Sequence, residues 1–208
     1  SGLDPELLAG HVYQENLVAP TRGVNLWYAR RTLLAEAGGT LLSDGALFNG
    51  TDAFLDCGFA AGSASGQSIF AVAQTSDLTG NRILVDGRDA NDDGPALFFL
   101  GGVDDTLRFS VDSTTNNTGN DLFTSALSAN IEYLFSSFYA GNATPSLSTL
   151  AISLDGVEED TATSAPASIS TTTNYIIGRS AYASAAFWQG SIQEVIIYPD
   201  DQSANQAG

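Results

Sequence analysis

The sequence predicts an all-β fold, a two-sheet antiparallel jelly-roll sandwich that follows a short N-terminal helical arm. Short apolar, β-branched and aromatic runs recur between clusters of Gly, Asn, Asp and Ser, which is the pattern of strands separated by turns. Several runs alternate, so that Leu107, Phe109 and Val111 share one strand face while Arg108 and Ser110 share the other. The 208 residues, 43% of them hydrophobic, are enough to fill one large core.

The first 39 residues lack this strand pattern and predict an arm or linker. Asp4 is a good helix N-cap and Pro5 suits the first helical position, so a short helix is expected there. The segment 32–37 predicts a second short helical or strand piece, ended by Gly38 and Gly39. We therefore predict an arm over residues 1–39 and the sandwich over residues 40–208.

The sandwich region contains about ten predicted strands, and this number favours two packed sheets over parallel strand–helix–strand units. They are Ala46–Phe48, Ala53–Asp56, Ser68–Gln74, Arg82–Val85, Ala96–Leu100, Thr106–Val111, Glu132–Tyr139, Thr149–Leu154, Asn174–Gly178 and Ser191–Tyr198. Helical content is expected to be low.

Three stretches carry a family resemblance. Residues 46–56 read Ala-Leu-Phe-Asn-Gly-Thr-Asp-Ala-Phe-Leu-Asp, and residues 150–157 end a strand in the turn Leu-Asp-Gly-Val. Near the end, Tyr-Ile-Ile-Gly-Arg-Ser at 175–180 precedes Phe-Trp-Gln-Gly-Ser-Ile-Gln-Glu-Val-Ile-Ile-Tyr at 187–198. Together they resemble laminin G-like domains of the concanavalin A-like lectin/glucanase type over roughly residues 41–206. The resemblance implies a jelly-roll domain of the kind found in bacterial surface proteins and phage structural proteins.

The charge balance narrows the partners. Asp and Glu number 24 against seven basic residues, all arginine, and the formal net charge is −17. Such a surface repels the phosphates of nucleic acids, and no apolar run approaches the roughly 20 residues that span a bilayer. We expect no nucleic-acid partner, no membrane insertion, and a setting that is extracellular or on a virion surface.

The sequence predicts no catalytic residues. The resemblance implies that glucanases of this type carry Glu-x-Asp-x-x-Glu on one strand, because retaining hydrolysis needs two carboxyl groups roughly 5–5.5 Å apart. No such run is present: Glu132 and Glu194 are isolated within strands, and Glu158-Glu159-Asp160 is predicted in a turn. His11, the only histidine, lies outside the sandwich. We predict that the domain is not an enzyme.

One loop has the spacing of a calcium ligand set. Asp89, Asn91 and Asp93 alternate and precede Gly94, and Asp86 stands just upstream. Oxygen ligands at alternate positions suit Ca²⁺, but the twelfth position, where an EF-hand needs Glu, is Leu100. The alternative is an ordinary acidic hairpin turn, because Asp, Asn and Gly are also turn residues.

Sugar binding is predicted from aromatic and amide side chains. Aromatic rings stack on pyranose faces and amides bond hydroxyls. The candidates are therefore Tyr182, Trp188, Tyr139, Phe138, Asn116 and Asn117. Trp188 stands where the resemblance implies a packing aromatic, so core packing is its alternative.

The first hypothesis for function is a lectin-like adhesion module for a surface glycan. The second is a fibre, capsid-decoration or assembly domain that contacts neighbouring proteins or other copies as a homo-oligomer; a glycoside hydrolase is the third.

Overall fold

The described chain is built from strands. The computed structural model describes residues 16–19, 22–27, 40–42, 45–64, 66–91, 93–100, 105–112, 121–144, 147–163, 166, 169–181 and 183–205. These residues form fifteen strands and one 3-10 turn, Ser203–Asn205, and no α-helix. Within the same residues no helix is long and apolar enough to cross a membrane. The all-β prediction is confirmed, whereas the predicted helix at Asp4 and Pro5 lies outside the described residues.

The strands form two antiparallel sheets. The nine-stranded sheet has the order β1 (Asn16–Ala19), β2 (Arg22–Trp27), β15 (Gln189–Tyr198), β6 (Gly66–Thr75), β11 (Glu132–Ala140), β12 (Thr149–Leu154), β13 (Val157–Thr163). In addition β4 (Gly45–Asn49) pairs with β15, and β3 (Thr40–Leu42) pairs with β4. The six-stranded sheet has the order β10 (Leu122–Phe123), β9 (Thr106–Asp112), β8 (Gly94–Leu100), β7 (Arg82–Asp86), β14 (Ile169–Ile177), β5 (Leu55–Ala64).

Each of the ten predicted strands overlaps a strand of the structure. The arm region also contributes strands, because β2 lies within residues 1–39 and pairs with β15 through Trp27 and Val195. The prediction for the acidic run was wrong: Glu158, Glu159 and Asp160 lie in β13, not in a turn. The turn is Asp155–Gly156 just before it, where both residues have positive φ.

An edge position explains how an acidic run can form a strand. Strand β13 is the last strand of its sheet, and Glu159 and Asp160 accept hydrogen bonds from the backbone N–H groups of Ser125 and Phe123. The two carboxylates thereby join the edge of one sheet to the edge of the other. Acidic residues are unfavourable in the middle of a sheet, but an edge leaves them hydrated and gives them donors.

The core lies between the sheets and is filled by large side chains. Those that are fully buried include Trp188, Tyr139, Tyr175, Phe48, Phe109, Phe135, Ile69, Leu84, Leu97 and Leu107. On β6 the inward residues Ile69, Ala71 and Ala73 are buried, while Phe70 and Val72 on the opposite face are half-buried. The nine-stranded sheet therefore carries apolar side chains on both faces. We call the face that points away from the core its outer face.

Candidate ligand-binding face

Register places a continuous row of side chains across the outer face. Tyr198 on β15 pairs with Ser68 on β6, which pairs with Phe138 on β11. Phe138 pairs with Ala151 on β12, and Ala151 pairs with Thr161 on β13. Because residues opposite each other on neighbouring strands point to the same face, these five side chains form one row across five strands.

The first hollow lies over β15, β6 and β11. Its volume is about 310 Å³, and it is lined by Phe70, Ala71, Val72, Leu134, Glu194, Ile196, Tyr198, Gln202 and Asn205. The Phe70 ring meets Phe138 edge-on at 5.4 Å and Tyr198 edge-on at 5.9 Å between centroids. Phe70 and Tyr198 are only half-buried and Leu134 is 39% exposed, so apolar and aromatic surface is open to solvent here.

Polar groups stand on the rim of the first hollow. Glu194 supplies a half-exposed carboxylate from β15, and the amides of Gln202 and Asn205 come from the chain beyond that strand. Asn205 Nδ2 donates to Gln202 Oε1 at 2.7 Å, and Gln202 Nε2 donates to Asp200 Oδ1 at 2.6 Å. These bonds fix the amides in place and leave each with further donor and acceptor capacity.

The residues 200–205, here called the C-terminal segment, lie on the outer face. The buried Ser68 Oγ donates to the carbonyl of Asp200 at 3.1 Å and accepts the N–H of Gln202 at 2.8 Å. Glycine at position 66 makes the approach possible, because a Cβ there would lie 2.8 Å from the nitrogen of Asp201. The segment is thus held over the middle of the row described above.

A second hollow lies on the other side of the C-terminal segment. Its volume is about 410 Å³, and it is lined by Phe138, Ala140, Thr149, Leu150, Ala151, Glu158, Thr161, Ala162, Thr163, Asp201 and Ser203. Hydroxyl and carboxylate groups make up most of its polar lining, and the second hollow is more polar than the first, although apolar surface predominates in both. The outer face therefore offers two adjoining surfaces of different chemistry.

Two of the aromatic candidates from the sequence are buried in the core, whereas Phe138 lies on the outer face and lines the second hollow. Trp188 and Tyr139 are both 0% exposed, in the core between the sheets. The Tyr139 hydroxyl donates to the carbonyl of Pro166 at 2.8 Å, and burial raises the pKa of that hydroxyl to about 12. Neither ring presents a face to solvent, so the structure assigns both to packing. Tyr182, Asn116 and Asn117 lie outside the described residues.

Asp86 has a structural role that differs from the predicted metal ligand. It is 0% exposed at the end of β7, and its two oxygens accept four hydrogen bonds. Oδ1 accepts the backbone N–H and Nε of Arg88 at 3.0 and 2.9 Å, and Oδ2 accepts Nη2 of Arg88 and the N–H of Ala181 at 3.1 Å each. A carboxylate saturated in this way has no lone pair to give a cation.

The remaining three calcium candidates form a tight turn. Asp89 Oδ1 accepts the N–H groups of Asn91 and Asp93 at 2.7 and 3.2 Å, which is the hydrogen bonding of an acidic hairpin turn. Asp93 Oδ1 is buried and has no hydrogen-bond partner among the described residues. Across those same residues, no group of three His, Cys, Asp or Glu side chains is placed to hold a metal ion.

Of the aromatic residues on the outer face, the sequence predicted only Phe138 as a sugar-binding candidate, although a signal for the others was present. Phe70 and Tyr198 were recognised only as parts of strands, where aromatic residues are expected. The signal was that β6 and β11 carry apolar residues at both odd and even positions, for example Ile69 with Phe70. An antiparallel sheet with one solvated face normally alternates, so apolar residues on both faces indicate that the second face has another use.

The comparisons with known proteins agree with this architecture. The chain belongs to the concanavalin A-like lectin/glucanases superfamily, whose laminin G family model matches residues 59–207. Among curated proteins none matches this sequence.

Solved structures show the same fold at low sequence identity. The CBM40 domain of the Ruminococcus gnavus IT-sialidase, bound to α2,3-sialyllactose, has a TM-score of 0.59 at 14% identity, covering 81% of this chain and 93% of its own. A heptameric SAP-like pentraxin from Limulus polyphemus has a TM-score of 0.58 at 11% identity, covering 77% of each chain. Domain 4 of the extracellular arabinanase AbnA from Geobacillus stearothermophilus, in complex with arabinotriose, has a TM-score of 0.56 at 15% identity, covering 78% of this chain and 73% of that one.

Proposed function

We propose that this domain is a non-catalytic carbohydrate-binding module that holds a glycan on the outer face of its nine-stranded sheet. The observation that carries the proposal is the first hollow, which combines half-exposed aromatic rings with a fixed polar rim. Apolar surface with a few placed polar groups is the general composition of a small-molecule site. We place the domain outside the cell or on a virion surface, where surface glycans are met.

The chemistry of a sugar suits the two parts of the first hollow. The C–H face of a pyranose packs against an aromatic ring such as Phe70 or Tyr198, and its hydroxyls exchange hydrogen bonds with carboxylate and amide groups such as Glu194 and Gln202. Two proteins of the same fold carry sialyllactose and arabinotriose in their solved structures, which supports a glycan as the ligand class.

The presence of one carboxylate among the described lining residues of the first hollow favours a binding role over hydrolysis. Hydrolysis of a glycosidic bond uses a pair of carboxyl groups that flank the bond. Among the described lining residues of the first hollow, Glu194 is the only acid. Glu132 on β11, which does not line the first hollow, already accepts a hydrogen bond from Gln193 Nε2.

Calcium is a second, separate part of the proposal. The buried, unpartnered Oδ1 of Asp93 is an oxygen that a cation would satisfy, with Asp89 and Asn91 beside it in the same turn. Asp86 is not part of this ligand set, because Arg88 and Ala181 occupy its oxygens. Calcium there would stabilise the β7–β8 connection and so raise the melting temperature.

A glycan array probed with and without calcium tests the binding function. The Tyr198→Leu variant keeps an apolar side chain and removes the aromatic face, so we expect it to lose at least about tenfold in affinity for any glycan that binds. The matched control is Phe123→Leu, which changes an exposed aromatic residue on the six-stranded sheet and should bind normally. Equal binding by both variants, or no binding to any glycan by the parent protein, would contradict the proposal.

One observation favours the alternative, an assembly domain. Strand β5 has ten residues, pairs with β14 on one side, and pairs with none of the described strands on the other. A long unpaired edge is a template for a strand of another chain. If the array is silent, light scattering that shows a stable homo-oligomer would make assembly the better account.

A further inference from the structure

We propose that the second hollow continues the glycan site of the first, and that the glycan segment lying across both carries no negative charge. The proposal rests on the carbohydrate-binding function and specifies two properties of the ligand: it is an oligosaccharide, and it is not acidic.

Continuity of the row across the sheet supports the first property. The row runs from Tyr198 on β15 to Thr161 on β13, which is four strand spacings, or about 19 Å. Ser68 and Phe138 within the row are buried, so the two hollows lie on either side of them. Phe138 lines the second hollow and packs edge-on against Phe70, which lines the first. The two hollows therefore adjoin on one face of the sheet, and together they are longer than a single sugar residue needs.

The C-terminal segment serves both hollows. Gln202 and Asn205 line the first, while Asp201 and Ser203 line the second. Ser68 holds the segment from below with two hydrogen bonds, so its position is fixed relative to both. An oligosaccharide that crosses this segment meets side chains on either side of it.

The two hollows complement each other chemically. The first supplies aromatic and aliphatic surface for stacking, and the second supplies the hydroxyls of Thr149, Thr161 and Ser203 for hydrogen bonding. One sugar residue is then held mainly by its ring face and the next mainly by its hydroxyls. Such a division is expected to increase affinity with ligand length.

Charge supports the second property. Glu194 stands at the first hollow, and Glu158 and Asp201 stand at the second, on a chain of formal net charge −17. The arginines with described side chains belong to the six-stranded sheet or its connections and have partners there: Asp77 for Arg82, Asp86 for Arg88, Asp121 for Arg108, and the carbonyls of Ser180 and Ala183 for Arg179. A uronate or sialate on the outer face would therefore meet carboxylates at close range.

Matched glycan pairs test the charge. The probes are oligogalacturonates and their methyl esters, and sialyllactose and lactose, with lengths of one to six sugars where the series allows. We expect the neutral member of a pair to bind about tenfold more tightly at low salt, with the gap narrowing in 1 M NaCl, where the Debye length is about 3 Å. Glu158→Gln should also reduce the difference in affinity between the neutral and the acidic glycan. Asp105→Asn, which removes a charge between β8 and β9 of the other sheet, should leave that difference unchanged.

Length dependence tests the second hollow. Thr161 is exposed on β13, and Thr161→Phe would fill the hollow with a side chain that strands accept. We expect this variant to bind the shortest ligand normally and to lose the gain in affinity that longer neutral oligosaccharides give the parent protein. Thr172→Phe, an equal change at an exposed position of β14, is the control and should keep that gain.

The outcomes separate this inference from the function on which it rests. Tighter binding of acidic members, or a length gain that survives Thr161→Phe, would overturn the inference while the carbohydrate-binding function stood. Failure of every glycan to bind would overturn both.

Discussion

Replacing Asp86 by Asn should destabilise the domain strongly, and should do so whether or not calcium is present. The Asp86 carboxylate is fully buried and accepts hydrogen bonds from Arg88 and from the backbone N–H of Ala181. It thereby joins the end of β7 to the loop that follows β14. The change removes the charge that balances Arg88 and places an amide donor where two donors already point.

The magnitude follows from the bonds that are lost. Two of the four hydrogen bonds lose their acceptor, and each hydrogen bond to a charged group contributes about 1.5–3 kcal/mol. The Arg88 side chain is 11% exposed and would lose its carboxylate partner, a change that costs about 3–5 kcal/mol for a buried pair. We expect a loss of about 3–4 kcal/mol, which for a domain of this size lowers the melting temperature by about 10 °C.

Urea unfolding of the parent protein and Asp86→Asn, each with calcium and with EDTA, measures this loss. Asp105→Asn is the control, because Asn tolerates the positive φ of that residue and no buried ion pair is broken. In the double variant Asp86→Asn/Arg88→Met the loss should be smaller, since no cation is left without its carboxylate. A loss under about 1 kcal/mol, or one that disappears in EDTA, would refute the structural role of Asp86 and return it to the calcium ligands.

Three further predictions concern other parts of the fold. The Thr79 hydroxyl and N–H, with Arg82, lower the pKa of Asp77 from 3.8 to about 2. The stability that this carboxylate contributes should therefore be fully present above about pH 4 and be lost as the pH falls through 2. The difference in urea midpoint between the parent protein and Asp77→Asn should shrink accordingly, and an undiminished difference at pH 2 would contradict this. Burial and, to a smaller extent, the charge of Asp56 raise the pKa of the Cys57 thiol to about 12. Iodoacetamide should therefore label Cys57 only after unfolding. Rapid labelling of the native protein, measured by mass spectrometry, would disprove its burial. Gly190→Ala should lower the free energy of unfolding in urea by about 3 kcal/mol or more, because φ is +142° and a Cβ would lie 2.0 Å from a backbone oxygen. The control Gly156→Ala, also at positive φ but in open space, should lower it by about 1 kcal/mol. Equal losses of stability in the two variants would show that the clash is not decisive.

Strand positions were predictable because each depends on local sequence. Alternation and turn residues located ten strands, and the runs at residues 46–56 and 187–198 carried enough family pattern to indicate the sandwich. Strand β13 was missed because its acidic residues are stabilised by Phe123 of β10 and by Ser125 just after that strand, about 35 positions earlier in the chain. A contact of that kind leaves no trace in the local pattern.

The candidate site was less predictable, because a side chain's type does not determine its exposure. Trp188 and Tyr139 are as suitable for stacking on a sugar as Tyr198, and only the assembled sheets show that the first two are buried. Asp86 fits a calcium loop by spacing, yet Arg88, two positions away, occupies its oxygens. The outer face itself comes from register between strands that lie far apart in sequence, and sequence periodicity carries no information on which strands are neighbours.

The central position of β15 has a consequence for how the protein is made. This strand, the last of the described strands, pairs with β2, β4 and β6, so the nine-stranded sheet cannot close until residues 189–198 have been synthesised. Translation at about 5–20 residues per second leaves β6 with an open edge for many seconds, and such an edge pairs readily with other chains. A ribosome stalled before β15 should therefore yield an aggregation-prone fragment, and production of the protein should depend on chaperones that shield β6 during that interval.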